Sequence, residues 1–293
     1  MKIKETKSRI AFEIFNTLFM ICAIVVTFIP LLHVVNASFS DSGALIRNGG
    51  RILFAPLEPN IDAYKQAFRN SMIVTGYKNT IFIVTVGTIV NMLMSSVCAY
   101  ALSRRKLMLN KAMMKFVTFT MFFGGGMIPT YILVNNLGLV GSIWSLIIPG
   151  AISTYNMIIL RTGFETVPES LIEAAEIDGA GQIRILFTIM IPLAKASIAV
   201  VAMYYAITHW NDWFGAAIYL PRNQEKWPLQ LVLRQILIMN DTSNVQAGID
   251  EQNTIAESIK YATIVIATLP ILCIYPFVQK YFTRGVMIGA VKG

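Results

Sequence analysis

The sequence predicts an all-α membrane protein with six transmembrane helices. Three observations carry that reading. Of the 293 residues, 55% are hydrophobic and only 14% are charged, with a mean hydropathy of +0.61. An average soluble domain holds roughly 25% charged residues, so this chain lacks the polar surface to cover a globule of its size. Two stretches, 14–40 and 116–160, contain no Asp, Glu, Lys or Arg, and lipid offers no partners to a backbone that does not bond to itself. Finally, the net charge of +8 could suggest nucleic acid, but the basic residues flank the apolar stretches instead of collecting on one face, as membrane topology places them.

Taken in order, the spans are expected near 14–35, 79–102, 116–134, 143–160, 193–211 and 261–279, within a single domain over 1–293. Each is close to the ~20 residues an apolar helix needs to cross the hydrocarbon. The first follows Lys2, Lys4, Lys7 and Arg9 and precedes Val35-Asn36-Ala37, features that a secretory signal shares. Its charge-free run exceeds the roughly 7–15 residues of a signal core, so it reads as an uncleaved span. The stretch 116–160 is too long for one helix, and Asn135-Asn136-Leu137-Gly138 with Gly141 predicts a short turn dividing it. In the long connections 36–78 and 212–260, helices are expected near 61–69 and 228–238, the latter followed by a polar loop, 240–253. Cys22, Cys98 and Cys273 lie in apolar stretches without metal-ligand spacing and read as small apolar residues.

Lys and Arg set the orientation. The short connection 103–115 holds Arg104, Arg105, Lys106, Lys111 and Lys115, whereas 135–142 holds none. The positive-inside rule then places both termini in the cytoplasm, with 162–192 on the same side.

That segment reads as a folded element. Thr166-Val167-Pro168-Glu169 has the form of a capping box with Pro in the first turn. A helix through 170–178 is expected next, with Gly179 ending it in a left-handed conformation. A second, amphipathic helix fits 182–190, with Ile185, Leu186 and Ile189 on one face, and Pro192 breaks or kinks the chain before the fifth span.

The residues Glu173-Ala174-Ala175-Glu176-Ile177-Asp178-Gly179, nine further residues and Ile189-Met190-Ile191-Pro192 resemble the EAA motif of ATP-binding-cassette (ABC) importer permeases. Ile191 stands where that family has Leu. The resemblance implies a type I ABC importer permease fold in a bacterial cell membrane, with 162–192 as a cytosolic coupling loop. Glu173, Ala174, Ala175, Asp178, Gly179, Ala180, Ile189 and Pro192 would dock it onto a separate ATPase. It further implies a second permease subunit, two copies of the cytosolic ATPase that bind the ATP and Mg, and an extracellular solute-binding protein. The resemblance extends to the carbohydrate-uptake, maltose-permease-like group. Trp210-Asn211-Asp212-Trp213-Phe214 is similar to its Trp-Asn-x-Phe region, and Gly289-Ala290-Val291-Lys292-Gly293 is similar to its tail. In that group the tail reaches between the ATPases or towards the pore, which gives Val291, Lys292 and Gly293 that role. The stretches 123–130 and 219–236 look closest to permeases for complex or polysaccharide-derived oligosaccharides.

A sugar path needs aromatic faces to stack on apolar ring faces, and amides or carboxylates to bond hydroxyls. Tyr155, Asn156, Tyr204, His209, Trp210, Asn211 and Asp212 supply such groups near spans four and five. Aromatics also gather at membrane interfaces for their own sake, and polar residues join helices. Asn240, Asp241, Ser243 and Asn244 sit where the family places a scoop that enters the binding protein. Among alternatives, a membrane-embedded enzyme or an ion-coupled carrier would call for ionisable groups at mid-depth, and none stands out. His33 and His209 are far apart in sequence, no His-Glu-x-x-His is present, and Gly124-Gly125-Gly126 lacks the Lys-Ser/Thr of a phosphate loop. No catalytic residue, metal or cofactor is therefore expected on this chain. Another polyol or a glycerol-phosphate-type solute stays open as cargo, although phosphate recognition calls for buried Arg or Lys.

Overall fold

The computed structural model describes residues 7–49, 51–104, 108–246, 259–273 and 276. Every regular element among them is helical. In chain order these are α1 (Lys7–Ser38), α2 (Ser42–Asn48), α3 (Asp62–Arg69), α4 (Ser71–Ser103), α5 (Asn110–Phe122) and α6 (Met127–Asn136). Then follow α7 (Thr154–Glu165), α8 (Glu169–Ile177), α9 (Gln182–Leu193), α10 (Lys195–Asn211), α11 (Phe214–Tyr219), α12 (Leu229–Gln246) and α13 (Ile259–Cys273). The chain divides into two units, one formed by 1–71 with 235–269 and the other by 72–234 with 270–293.

The first unit is built on α1. Its 32 residues reach about 48 Å at 1.5 Å per residue, more than the ~30 Å of a bilayer core. Most apolar side chains from Phe12 to Val35 stay exposed, and full burial begins only at Asn36, Ala37 and Ser38. Water would penalise that surface, whereas hydrocarbon would not. At the buried end the polar groups are paired. Asn36 donates to Leu53 O (3.1 Å), Ser40 donates to Asn36 O (2.7 Å), and Ser38 and Tyr64 share a hydroxyl bond of 2.7 Å.

The second unit holds the larger core, in which Ala99 and Leu102 of α4, Met157, Leu160 and Phe164 of α7, and Ile172, Ile185, Met190 and Val201 interlock. Small residues let its helices meet closely. A Cβ at Gly87 would lie 2.6 Å from His209 Nε2, so only glycine lets α4 approach α10 there.

Several expected spans take a different course. Within 116–134 the chain makes two helices, α5 and α6, bent by 109°. Gly124-Gly125-Gly126 resists helical ordering, and Gly126 adopts φ +88°. Pro129 survives in α6 because its missing N–H falls in the first turn, where donors have no helical acceptor. Within 143–160 only a 3₁₀ turn (Ile143–Leu146) and the first part of α7 are helical. Pro149-Gly150 leaves 147–153 irregular, and Ser153 Oγ caps α7 by accepting Asn156 N–H (3.4 Å). The fifth span begins at Lys195, after a 91° bend between α9 and α10. By length and composition, two described helices, α1 and α4, can cross a membrane unaided, or up to four spans result if each bent pair counts as one. The count of six is thus not reproduced among the described residues, and part of 261–279 lies outside them. Finally, α12 runs past Ile238 to Gln246. Asn240, Asp241, Ser243 and Asn244 therefore continue a helix where a loop was expected, and 247–253 lies outside the described residues, as do Val291, Lys292 and Gly293.

Candidate functional site: the α8–α9 hairpin and a polar cavity

The hairpin is fixed by its turn. α8 closes with a Schellman arrangement, in which Gly179 N–H donates to Glu176 O (3.1 Å) and Ala180 N–H to Ala175 O (2.9 Å). Gly179 sits at φ +77°, and a Cβ there would meet nothing within 4 Å. The glycine is thus demanded by backbone conformation and not by crowding. The start of α8 differs from expectation. Thr166 bonds back to Gly163 O (2.7 Å) at the end of α7, and Pro168 occupies the N-cap without a side-chain bond. The capping box does not form, because α7 runs to Glu165 and claims Thr166 as its own C-cap.

Burial splits the predicted coupling residues into two sets. Ala175 is buried, Ala180 and Ile189 are half-buried, and these pack on the core with Ile172 and Val167. Glu173, Ala174, Asp178, Gly179 and Pro192 are exposed. Of the small residues, Ala174 and Gly179 thus lie open on the surface, whereas Ala175 does not. Beside them stand two apolar side chains that the sequence reading passed over, Ile177 at 86% and Ile183 at 76% exposure. A signal existed: Ile177 lies five residues past Ile172, off the inward stripe of an α-helix.

α9 contains a π turn at Leu186–Met190, closed by Ile191 N–H donating to Leu186 O. The wider turn brings Ile185 and Met190, five residues apart, onto one fully buried face. It also precedes Pro192, whose ring would clash with the carbonyl four residues back in a regular helix.

A polar cluster ties the hairpin to the end of α4. Glu176 Oε1 accepts from Arg104 (2.9 Å) and from Gln182 Nε2 (2.9 Å), and Tyr100 OH donates to Gln182 Oε1. The Arg104 guanidinium also lies 5.8 Å from the Tyr100 ring centroid. Leu102 O accepts from Arg161 Nε (2.9 Å) and Asn110 Nδ2 (3.0 Å). None of Tyr100, Arg104, Glu176 or Gln182 stood out as a site residue in the sequence, because their separations of 4 to about 80 positions follow no local spacing.

Of the seven sugar-path candidates, Asn156, His209 and Asp212 line one cavity of about 350 Å³, together with Thr208, Tyr205, Tyr219 and the irregular segment around Gly150. The other four lie outside that lining. Tyr155 and Tyr204 pack on each other at 6.4 Å, Trp210 meets Tyr77 edge-on at 6.3 Å, and Asn211 is exposed and bonds Ile207 O. Asn91, buried on α4, holds the cavity wall: its Nδ2 donates to Gly150 O (2.7 Å) and its Oδ1 faces His209 Nε2 at 2.6 Å. Tyr205 OH accepts from Ser153 N–H (2.9 Å) and pairs with Ser95 Oγ (2.6 Å). Among the described residues no group of His, Cys, Asp and Glu could hold a metal ion.

Comparison with known proteins accords with this architecture. The family model described as "Binding-protein-dependent transport system inner membrane component" matches residues 9–288. The chain is 39% identical over 279 residues to the polygalacturonan/rhamnogalacturonan transport system permease protein YtcP of Bacillus subtilis (strain 168), covering 94% of this chain and 96% of that one. It is 40% identical over 291 residues to protein LplC of the same organism, covering 99% and 97%. Its structure is similar to a chain in the crystal structure of a bacterial ABC transporter involved in the import of the acidic polysaccharide alginate. The TM-score is 0.86 at 30% identity, over 96% of this chain and 100% of that chain. The chain belongs to the binding-protein-dependent transport system inner membrane components, the permease subunits of ABC importers.

Proposed function

We propose that this chain is one of two permease subunits in an importer for oligosaccharides, driven by two copies of a cytosolic ATPase that bind the ATP and Mg. An extracellular solute-binding protein delivers the sugar, and both termini face the cytoplasm. The α8–α9 hairpin docks into a cleft on the ATPase through Glu173, Ala174, Ile177, Asp178, Gly179 and Ile183. The observation that carries this reading is the outward face of the hairpin: two isoleucines almost fully exposed beside an alanine and a bare glycine turn. Exposed apolar side chains beside a polar rim mark an interaction surface, and the packing beneath lets a push on that face move the helices as one body. The similar proteins, a polygalacturonan/rhamnogalacturonan transport permease and an importer of the acidic polysaccharide alginate, support a saccharide as cargo.

The test uses the importer reconstituted with its second permease, ATPase and binding protein. Ala174→Arg and Ile177→Asp alter exposed positions, so insertion and assembly are expected to persist while saccharide-stimulated ATP hydrolysis falls at least tenfold. Normal stimulation in both variants would remove the docking role from the hairpin. Orientation is read separately with Ser170→Cys in a background lacking Cys22, Cys98 and Cys273. A membrane-impermeant thiol reagent should label it from the cytoplasmic side, and labelling from outside would overturn the topology.

A further inference from the structure

We propose that the cavity between α7, α10 and the irregular segment 147–153 is a subsite for one uncharged, hydroxyl-bearing ring of the passing saccharide. The inference rests on the importer reading and adds to it a place and a charge preference.

The strongest sign is Asn156. It is only 6% exposed, it lines the cavity, and its side-chain amide makes no hydrogen bond among the described residues. The amide is not among the buried side-chain groups left without a partner, so its polar atoms reach the cavity, which is large enough for a hydrogen-bonding hydroxyl to arrive. The wall opposite is irregular backbone. At membrane depth such backbone is tolerated only where protein buries it or where it lines a wet cavity. Two of its groups, Gly150 O and Ser153 N–H, are held by Asn91 and Tyr205, so the segment is pinned in place.

The hydrogen-bonding character of the lining follows from the same bonds. Because Asn91 Nδ2 donates to Gly150 O, its Oδ1 must be the atom facing His209. His209 then donates from Nε2, and the neutral ring keeps Nδ1 as an acceptor. Asp212 Oδ1 accepts from Gly215 N–H (3.1 Å), which leaves its second oxygen as another acceptor. Besides the hydroxyl-bearing Tyr205, Thr208 and Tyr219 of its lining, the cavity thus offers two acceptors and one amide that both donates and accepts, a set that suits neighbouring hydroxyls. No Lys or Arg lines it, so the Asp212 carboxylate faces a cargo carboxylate without compensation. About 350 Å³ is at the lower end of small-molecule pockets, which fits one ring and not a chain.

The experiment uses the complete reconstituted importer, with trigalacturonate as the acidic probe and its carboxyl-reduced counterpart as the neutral one. In Asn156→Leu the amide lost had no protein partner, so the assembled complex should keep its thermal stability. The neutral-probe concentration that half-stimulates ATP hydrolysis should rise at least tenfold, and Asn156→Ser serves the same purpose if the larger side chain disturbs assembly. Asp212→Asn keeps an oxygen for Gly215 N–H, and should raise the response to the acidic probe relative to the neutral one at least fivefold. An unchanged half-stimulating concentration in both Asn156 variants overturns the subsite. So does an unchanged acidic-to-neutral ratio in Asp212→Asn. Loss of thermal stability in both Asn156 variants makes the residue structural and overturns it too. Failure of the wild-type complex to respond to either probe would instead bring down the importer reading, and the subsite with it.

Discussion

Gly179 allows backbone conformation, side-chain volume and docking to be separated in one series. Its φ of +77° lies in the left-handed region, and a Cβ would find open space, so substitution is penalised by conformation alone. An L-residue there costs roughly 1–2 kcal/mol, Asn is the non-glycine residue best suited to it, and a β-branched residue is a severe outlier. Gly179→Ala should therefore open the turn about 5- to 30-fold more often, since 1.4 kcal/mol is about tenfold. Hydrogen exchange at the Ala180 amide, which donates to Ala175 O, reports that opening directly. Protection should fall in the order Asn, Ala, Val from least to most, with the amides of Ile185 and Met190 unmoved. Gly179→Pro cannot reach this φ and also removes the donor to Glu176 O, so it should insert normally and uncouple transport. If Ala were gentler than Asn, volume and not φ would govern the turn, and the conformational argument would be wrong. The same series reads docking: Gly179→Asn with an intact turn but lost stimulation of ATP hydrolysis means that the ATPase needs the bare glycine surface itself.

Two further outcomes are expected. Arg104 and Glu176 are partly exposed, 18% and 37% at the side chain, so their pair is worth only ~0.5–1 kcal/mol after solvent screening. A double-mutant cycle with Arg104→Ala and Glu176→Gln, read by thermal melting of the assembled importer, should return a coupling energy of that size, and a value near zero would mean that Gln182 alone holds Glu176. Gly87→Ala places a methyl 2.6 Å from His209 Nε2, and overpacking of this kind costs about 1–3 kcal/mol. The melting temperature should drop, and most of that drop should be recovered when Gly87→Ala is compared within a His209→Ala background, which already carries the cost of the lost Asn91 bond. Without that recovery, the strain does not arise at the contact between α4 and α10.

How much of this was legible beforehand depended on whether the signal was local. The membrane class followed from charge-free length, and the hairpin from Gly179 and Pro192, each of which acts within its own turn. The breaks inside 116–134 and 143–160 are less legible, because apolar length outweighs backbone chemistry in a hydropathy pattern. Gly124-Gly125-Gly126 and Pro149-Gly150 were visible, yet a hydropathy run does not register them as interruptions. The expected capping box at Thr166 had the right residues, but an adjoining helix took the threonine first, a competition that a four-residue pattern cannot report. Asn156, His209 and Asp212 come together because α7 folds back on α10. The polar cluster at Arg104, Glu176 and Gln182 needs the same folding, and pairwise distance in sequence carries no trace of it.

The bonds around α10 also constrain how a push at the hairpin could reach the cavity. Tyr205 and His209 lie one turn apart on that helix, and each bonds α4, through Ser95 and Asn91 respectively. Sliding α10 along α4 would break both bonds at once, together with the tight fit of His209 against Gly87. The two helices therefore move most cheaply as one body. Ile172, Ile185 and Met190 of the hairpin share one buried core with Ala99 and Leu102 of α4 and Val201 of α10, so hairpin, α4 and α10 form a single lever. Freedom to bend must then lie at joints that these bonds do not cross, and the Gly124-Gly125-Gly126 break between α5 and α6 is one, since none of its glycines has a side chain to hold it. Because Asn91 and Tyr205 also pin Gly150 and Ser153, displacement of the lever carries the cavity wall with it. On the proposed docking role, a force applied at Ala174 and Ile177 would reach Asn156 through packed and hydrogen-bonded parts.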